Sequence, residues 1–304
     1  MRENMEPSSM HAKNLAYDFA GRRVLVTGAS RGIAAELATV LGSSGAHVVI
    51  HFSAAADLAS GSADAAETLR RFIVANGGSA DLVEEDLSIE GGGRRLAQKA
   101  LALGDIDTVI LSASRQIHKD VLRQTGEDIE CQFRINLYAN IELVQGLVPQ
   151  MARAGFGRIL SIGSVQERAP SAEMPIYALC KAGLRNFIEN LALQLGGHGI
   201  TANNVAPGLI ATDRNAFRRT DALSWAATSA RSSAVGRAGL PADLVAPVLM
   251  LLARESGYVS GATLHVTGGA HITRNSTDGA FPKLDISQSQ TETGSAVEPQ
   301  FHSS

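Results

Sequence analysis

Val24-Leu25-Val26-Thr27-Gly28-Ala29-Ser30-Arg31-Gly32-Ile33-Ala34 joins a short apolar run, a glycine turn and the start of an Ala/Leu-rich pattern that runs to about Ser43. A tight turn leading from strand into helix presents backbone N–H groups and the positive helix end to a phosphate. Gly28 permits the turn, and Gly32 permits close approach of a pyrophosphate. Ala34 stands where a third glycine would sit and is still small enough for helix–strand packing. A strand before, a helix after and first place in the fold point to a dinucleotide. A βα turn that merely needs glycine remains the plainer alternative on these residues alone.

Downstream, short apolar runs keep alternating with helical patterns, which predicts βαβ units on a parallel sheet. Ala46–Phe52 reads as the second strand and Ala63–Ala75 as a returning helix. Ala80–Glu85 is the third strand, followed by Asp86-Leu87, then a helix around Arg94–Leu103. The fourth strand, Asp107–Leu111, runs into Ser112-Ala113-Ser114. Ile129–Tyr138 and Ile141–Met151 look helical, Gly157–Ile162 is the fifth strand, and Thr201–Val205 the sixth, leading into Ala206-Pro207-Gly208. The fold class is α/β: a single doubly wound, Rossmann-type parallel sheet of about seven strands with helices on both faces.

Ile176–Leu195 carries Leu184, Phe187, Ile188, Leu191 and Leu195 at three- and four-residue intervals, as on one face of a long helix. Tyr177 and Lys181 then sit one above the other, because i and i+4 share a face. An ammonium beside a phenol favours phenolate, and such a phenol exchanges a proton with a substrate oxygen more readily. A half-exposed Tyr and a solvated Lys are the alternative. Asn136 falls inside an otherwise apolar helical stretch, unfavourable unless its amide finds a partner. The end of the second strand carries His51 and Ser53 with no acid before Asp57, and Arg31 lies in the glycine loop. That corner reads as neutral to basic and suits a 2′-phosphate, hence NADP(H), with NAD(H) left open.

The chain has 304 residues, a net charge of -3 and 45% hydrophobic residues. One α/β domain fits that length, and nothing in the charge points to nucleic acid or an anionic membrane as partner. Cys131 and Cys180 make neither a metal spacing nor a disulfide framework, so no metal is expected and a reduced cytoplasmic protein is the default. No apolar run reaches the roughly 18–20 residues of a membrane helix, and the first residues lack the apolar core of a secretory signal. Residues 1–20 read as a flexible arm, 21–273 as the domain, and 274–304 as a Ser/Thr/Gln/Gly-rich disordered tail.

Set together, TGASRGI at Thr27–Ile33, EDL at Glu85–Leu87, FRIN at Phe133–Asn136, RILSIGSV at Arg158–Val165, YALCK at Tyr177–Lys181, NNVAPGLIATD at Asn203–Asp213 and SGATLHVTGG at Ser260–Gly269 resemble the short-chain dehydrogenase/reductase family, most closely its 3-oxoacyl-thioester reductase branch. The resemblance covers roughly Gly21 to Thr273. It implies that Tyr177 is the proton donor and that Lys181 lowers its pKa and bonds the nicotinamide ribose. Ser164 then holds the substrate carbonyl, and the carbonyl of Asn136, through an ordered water, connects Lys181 to solvent. Gly28, Ser30, Arg31, Gly32 and Ile33 correspond to the phosphate loop and Asp86 and Leu87 to the adenine pocket. Ser112 and Ala113 line the cofactor ribose, Pro207, Gly208 and Ile210 the nicotinamide side, and Thr212 bonds the carboxamide. NADPH-dependent reduction of a ketone or 3-oxoacyl carbonyl, in a homotetramer or dimer with no nucleic-acid or membrane partner, is the activity implied.

The pattern also departs from the family. Leu111-Ser112-Ala113-Ser114 replaces Asn-Asn-Ala-Gly. Thr212 to about Gly239, where the family places its substrate lid, holds Phe217, Leu223, Trp225, Arg214, Arg218, Arg219 and Arg231. This predicts either an apolar pocket with an arginine-held anionic end group or an amphipathic lid whose arginines are solvated. Glu167, Arg168 and Met174 are further candidates for the pocket wall. An NAD-linked alcohol or sugar-alcohol dehydrogenase and a nucleotide-binding regulator without turnover are the competing readings.

Overall fold

In the computed structural model, which describes residues 17–272, every apolar run becomes a strand of one parallel sheet. The strands are β1 (Arg23–Val26), β2 (His47–Phe52), β3 (Ser79–Glu84), β4 (Thr108–Leu111), β5 (Gly157–Ile162), β6 (Ile200–Pro207) and β7 (Thr263–Val266), ordered β3-β2-β1-β4-β5-β6-β7. All six pairings are parallel. Parallel neighbours need crossovers, and these are the helices α1 (Gly32–Ser43), α2 (Ala54–Ala59), α3 (Ala65–Ala75), α4 (Gly92–Ala102), α5 (Gly126–Phe133), α6 (Ala139–Ala154), α7 (Pro175–Leu195), α8 (Ala222–Ser232) and α9 (Val245–Leu252).

Side chains alternate across a strand, so a sheet covered on both faces needs apolar residues at every position. In β1, Val24 and Val26 enter one core with Leu37 and Leu41 of α1, Ile73 of α3 and Val248 of α9. Leu25 enters the other, with Leu96 of α4, Leu143 and Leu147 of α6 and Ile188 of α7. This explains why the first strand reads as an unbroken apolar run. The apolar β5 run nevertheless contains Arg158, buried at the sheet's other end, where it donates to the carbonyls of Ala253 and Gly157 and lies over the Phe156 ring.

The structure amends several boundaries. The returning helix expected over Ala63–Ala75 is α3, and it is preceded by an unforeseen short helix, α2, which Ser53 caps directly after β2. Ile129–Tyr138 is not one α-helix: α5 ends at Phe133, and Arg134–Tyr138 forms a wider π-helical turn before α6. The expected arm ends earlier than residue 20. Phe19 is fully buried in the core and its N–H donates to the Ser44 carbonyl at 3.0 Å. The remainder of that arm and the tail at 274–304 lie outside the described residues. No helix among the described residues is long and apolar enough to cross a membrane.

Candidate active site

The strand order reverses between β1 and β4, and the crevice beyond their C-terminal ends is where open α/β sheets bind ligands. A cleft of about 460 Å³ opens there. It is lined by the glycine loop, by Ser53, Asp86, Leu87, Ser112 and Ala113, by Ser164, Tyr177 and Lys181, and by Pro207, Gly208, Ile210 and Thr212. Residues separated by more than 180 positions in sequence thus share one wall system, as the motifs predicted.

The glycine loop fits a phosphate. Gly28 and Gly32 have φ of +64° and +62°, a region that disfavours side chains, and a Cβ on Gly28 would lie 3.0 Å from the Ala113 Cα. The first turn of α1 has no side-chain cap and no acidic residue, so its N–H groups and positive end are left to a ligand. Thr27 anchors the opposite wall. Its Oγ1 accepts the N–H groups of Ser112 and Ala113 at 2.9 and 3.0 Å, which holds the stretch that departs from Asn-Asn-Ala-Gly. Sequence reasoning passed over Thr27 because a Thr before a glycine turn gives no signal of its own.

The 2′-phosphate corner requires a correction. His51 is buried, with Nδ1 accepting the Gly28 N–H at 3.0 Å and Nε2 donating to the Glu85 carbonyl at 3.1 Å. Burial lowers its pKa to about 4, so it is a neutral strut beneath the loop and offers no charge to a phosphate. Nor is the corner free of acid. Asp57 on α2 is buried, accepts the Ser30 hydroxyl at 2.8 Å and lies 3.7 Å from Arg31 Nη1, while its Oδ2 has no partner. Arg31, partly exposed, also donates to the Ser60 hydroxyl. Ser53 caps α2 by accepting the Ala56 N–H. Asp86 turns part of its carboxylate inward to Ser88.

At the other end of the cleft, Lys181 is 2% exposed and its Nζ donates to the Ile162 carbonyl at 2.6 Å, lying 5.7 Å from the centre of the Tyr177 ring. Burial pushes the ammonium below its ordinary range; Tyr177 and Glu167 oppose that effect, and Arg214 reinforces it. Ser164 Oγ accepts the Gln166 N–H at 3.2 Å. Its own hydrogen therefore remains available to a ligand.

Asn136 lies behind this wall rather than in it. It is fully buried in the π-helical turn, where its amide bonds the Arg115 N–H and carbonyl and the Gln132 carbonyl. The polar residue in an apolar stretch is thereby satisfied. Its backbone carbonyl accepts the Asn140 amide at 2.8 Å, a partner the sequence did not suggest.

Of the further pocket candidates, Met174 lines the cleft, whereas Glu167 and Arg168 do not. Glu167 is buried and turned inward to the Asn204 amide. From the lid, Arg214, Phe217 and Arg218 reach the cleft. Arg214 donates to the Ser114 hydroxyl at 3.0 Å and to its carbonyl at 3.2 Å. Arg219 caps Thr212 from outside, and Leu223 is 85% exposed. No cluster of metal-binding side chains occurs among the described residues.

Comparison with known proteins agrees with this geometry. Residues 28–271 match the family model described as enoyl-(acyl carrier protein) reductase. The 3-oxoacyl-[acyl-carrier-protein] reductase of Escherichia coli is 31% identical across 84% of this chain and 99% of its own length. The chain belongs to the short-chain dehydrogenase/reductase family. The L-rhamnose 1-dehydrogenase (NADP(+)) of Thermoplasma acidophilum, also 31% identical, matches over 84% of this chain and 98% of its own. A crystal structure of a 3-oxoacyl (acyl-carrier-protein) reductase from Agrobacterium tumefaciens with NADP bound superposes with a TM-score of 0.80, at 33% identity over 87% of this chain and 100% of that one. A gluconate 5-dehydrogenase from Burkholderia cenocepacia, solved with NADP and tartrate, gives 0.75 at 29% identity, covering 83% and 96%. Short-chain dehydrogenase/reductases are NAD(P)-dependent oxidoreductases acting on CH–OH and C=O groups, and this chain is one of them.

Proposed function

We propose that this short-chain dehydrogenase/reductase uses NADPH to reduce a ketone or 3-oxoacyl carbonyl to a secondary alcohol. One observation carries the reading: Ser164, Tyr177 and Lys181 line one wall of a cleft whose far end is an uncapped glycine loop. Gly28–Ile33 would hold the pyrophosphate, Arg31 and Ser53 the 2′-phosphate, Asp86 and Leu87 the adenine, and Ser112, Ala113, Pro207, Gly208, Ile210 and Thr212 the ribose and nicotinamide. Bound NADPH supplies a hydride to the carbonyl carbon. Ser164 donates its hydroxyl hydrogen to the carbonyl oxygen, and Tyr177 gives that oxygen a proton as negative charge develops on it. Lys181, desolvated and tied to Ile162, holds its charge beside the phenol, and Asn136 fixes the wall behind it. The NADP-bound and NADP-named relatives support the cofactor assignment.

A second reading, oxidation of an alcohol or sugar alcohol with NAD, is favoured by one observation, the Asp57 carboxylate in the ribose corner. Titration of nicotinamide fluorescence separates the two: at least a tenfold preference for NADPH, about 1.4 kcal/mol, supports the first, and a preference for NADH overturns it. Tyr177→Phe should lower turnover by about 10²–10⁴-fold while NADPH still binds. Retained activity would show that the proton comes from elsewhere. Self-association as a homotetramer or dimer belongs to the same reading and is tested by sedimentation.

A further inference from the structure

At the catalytic end of the cleft, Lys181 and Arg214 are held by neutral groups rather than by carboxylates. Lys181 is buried against a neutral carbonyl. Arg214 reaches across from the segment after β6 and is held by two neutral acceptors on one residue, the hydroxyl and carbonyl of Ser114. Arg115, beside Ser114, lines the same region. Arg218 differs: it faces Glu173 at 4.0 Å, and Glu173 also lies 3.8 Å from His118 Nδ1, so the rim has a carboxylate of its own. Asp213, although adjacent in sequence, makes no ion pair with Arg214 among the described residues.

Arg214 lines the same cleft as Ser164, Tyr177 and Lys181 and also borders the phosphate loop, since Thr212 faces Gly32 and Ala113 faces Gly28. Arg31, by contrast, is occupied 3.7 Å from Asp57. The pyrophosphate already has the uncapped N-terminus of α1. Ser114 also stands where the family pattern has glycine, which has no hydroxyl to hold an arginine. The walls beside Arg214 are polar as well, with Gln116 and Gln166 facing the cleft.

We propose that the substrate carries a carboxylate, and that Arg214, held by Ser114, is the residue that reads it. A guanidinium fixed by neutral partners keeps its full charge and presents its remaining N–H donors as a planar fork, which matches a carboxylate's two oxygens. The carboxylate gives Arg214 the ionic partner that Ser114 does not supply. The inference rests on the oxidoreductase reading above and names the substrate class within it.

The test uses ketones in matched pairs, acetoacetate with methyl acetoacetate and levulinate with methyl levulinate, assayed with NADPH. Each pair keeps the carbonyl and removes the charge. The wild type should favour the carboxylate at least tenfold in kcat/KM. Arg214→Met should erase that preference, Ser114→Ala should weaken it, and Arg214→Lys should restore part of it. Calorimetric binding of the two carboxylates to the NADP-loaded protein gives a readout free of turnover and should be lost in Arg214→Met. Preference for the esters, or carboxylate binding untouched by Arg214→Met, overturns the proposal. So does a tenfold rise in the NADPH dissociation constant of Arg214→Met with carboxylate binding unchanged, since it assigns the arginine to the cofactor. Carboxylate binding through Arg214 with no turnover of any pair supports the proposal and counts against the reductase reading alone.

Discussion

Glu167 accepts the Asn204 side-chain amide with both carboxylate oxygens, at 3.0 and 3.1 Å, and its Oε2 also faces the Ser164 N–H at 3.4 Å. Asn204 is fixed in turn by the Ser161 hydroxyl at 2.6 Å. A Cβ on Gly163 would lie 2.4 Å from Glu167 Oε2, so only glycine leaves room for the arrangement. The backbone of the carbonyl-holding serine is therefore set by a buried carboxyl from behind.

Burial raises the Glu167 carboxyl above the ordinary carboxylate range. A raised folded-state pKa means that its favourable contribution is complete at acid pH and lost as pH rises through the folded value. Glu167→Gln should therefore gain stability relative to wild type between pH 4 and pH 8. Urea unfolding at the two pH values measures this, and a constant difference would refute it. Glu167→Ala should cost about 1–3 kcal/mol at pH 4, because the Asn204 and Ser164 donors lose their acceptor, and less at pH 8.

His51 titrates in the opposite sense. Its pKa is lowered to about 4 from 6.5 by burial, so the neutral ring's contribution is present above pH 6.5 and disappears as pH falls toward 4. That corresponds to at most about 3 kcal/mol. Stability of the wild type should drop across this window, and His51→Asn should flatten the dependence. Equal slopes for the two proteins would place the acid sensitivity elsewhere.

Thr27→Val should leave the N–H groups of Ser112 and Ala113 without an acceptor in a buried setting. The expected loss is about 1–3 kcal/mol per orphaned donor, with weakened NADPH binding. Thr27→Ser should restore both. Thermal melts and fluorescence titration check it; a Val variant as stable as wild type would show that the hydroxyl is not what holds the stretch.

Arg31→Ala should weaken NADPH at least tenfold and barely change NADH, since only the former has a 2′-phosphate. Asp57→Asn should raise the NADPH-to-NADH affinity ratio by removing the carboxylate 3.7 Å from Arg31. Equal loss of both cofactors in Arg31→Ala would show that the guanidinium holds the loop rather than the phosphate.

The strands, the helices on both faces and the pairing of Tyr177 with Lys181 were legible because each depends on a local pattern: apolar runs, 3.6-residue periodicity, glycine turns. Ser164 joined that pair only through the family resemblance. His51 and Asp57 were misread because both were judged by distance along the chain. His51 alternates inward under the loop, and Asp57 is carried inward by α2, a six-residue helix that no periodicity could reveal. Glu167 and Arg214 were visible as residues but not as partners. The donor to Glu167, Asn204, and the acceptor from Arg214, Ser114, lie 37 and 100 positions away.

The wide turn at Arg134–Tyr138 sets the rotational phase of a long rod. It holds one residue more than an α-helical path would need, and each residue advances an α-helix by about 100°. Removing a single residue, Ile135 for example, would close the ladder into ordinary α geometry and swing everything before it by about that angle relative to α6. α6 packs on α4 while α5 packs on α7, so the two halves answer to different neighbours. The extra residue lets both contacts be met without a break in the chain's direction, and it leaves Asn136 at the joint.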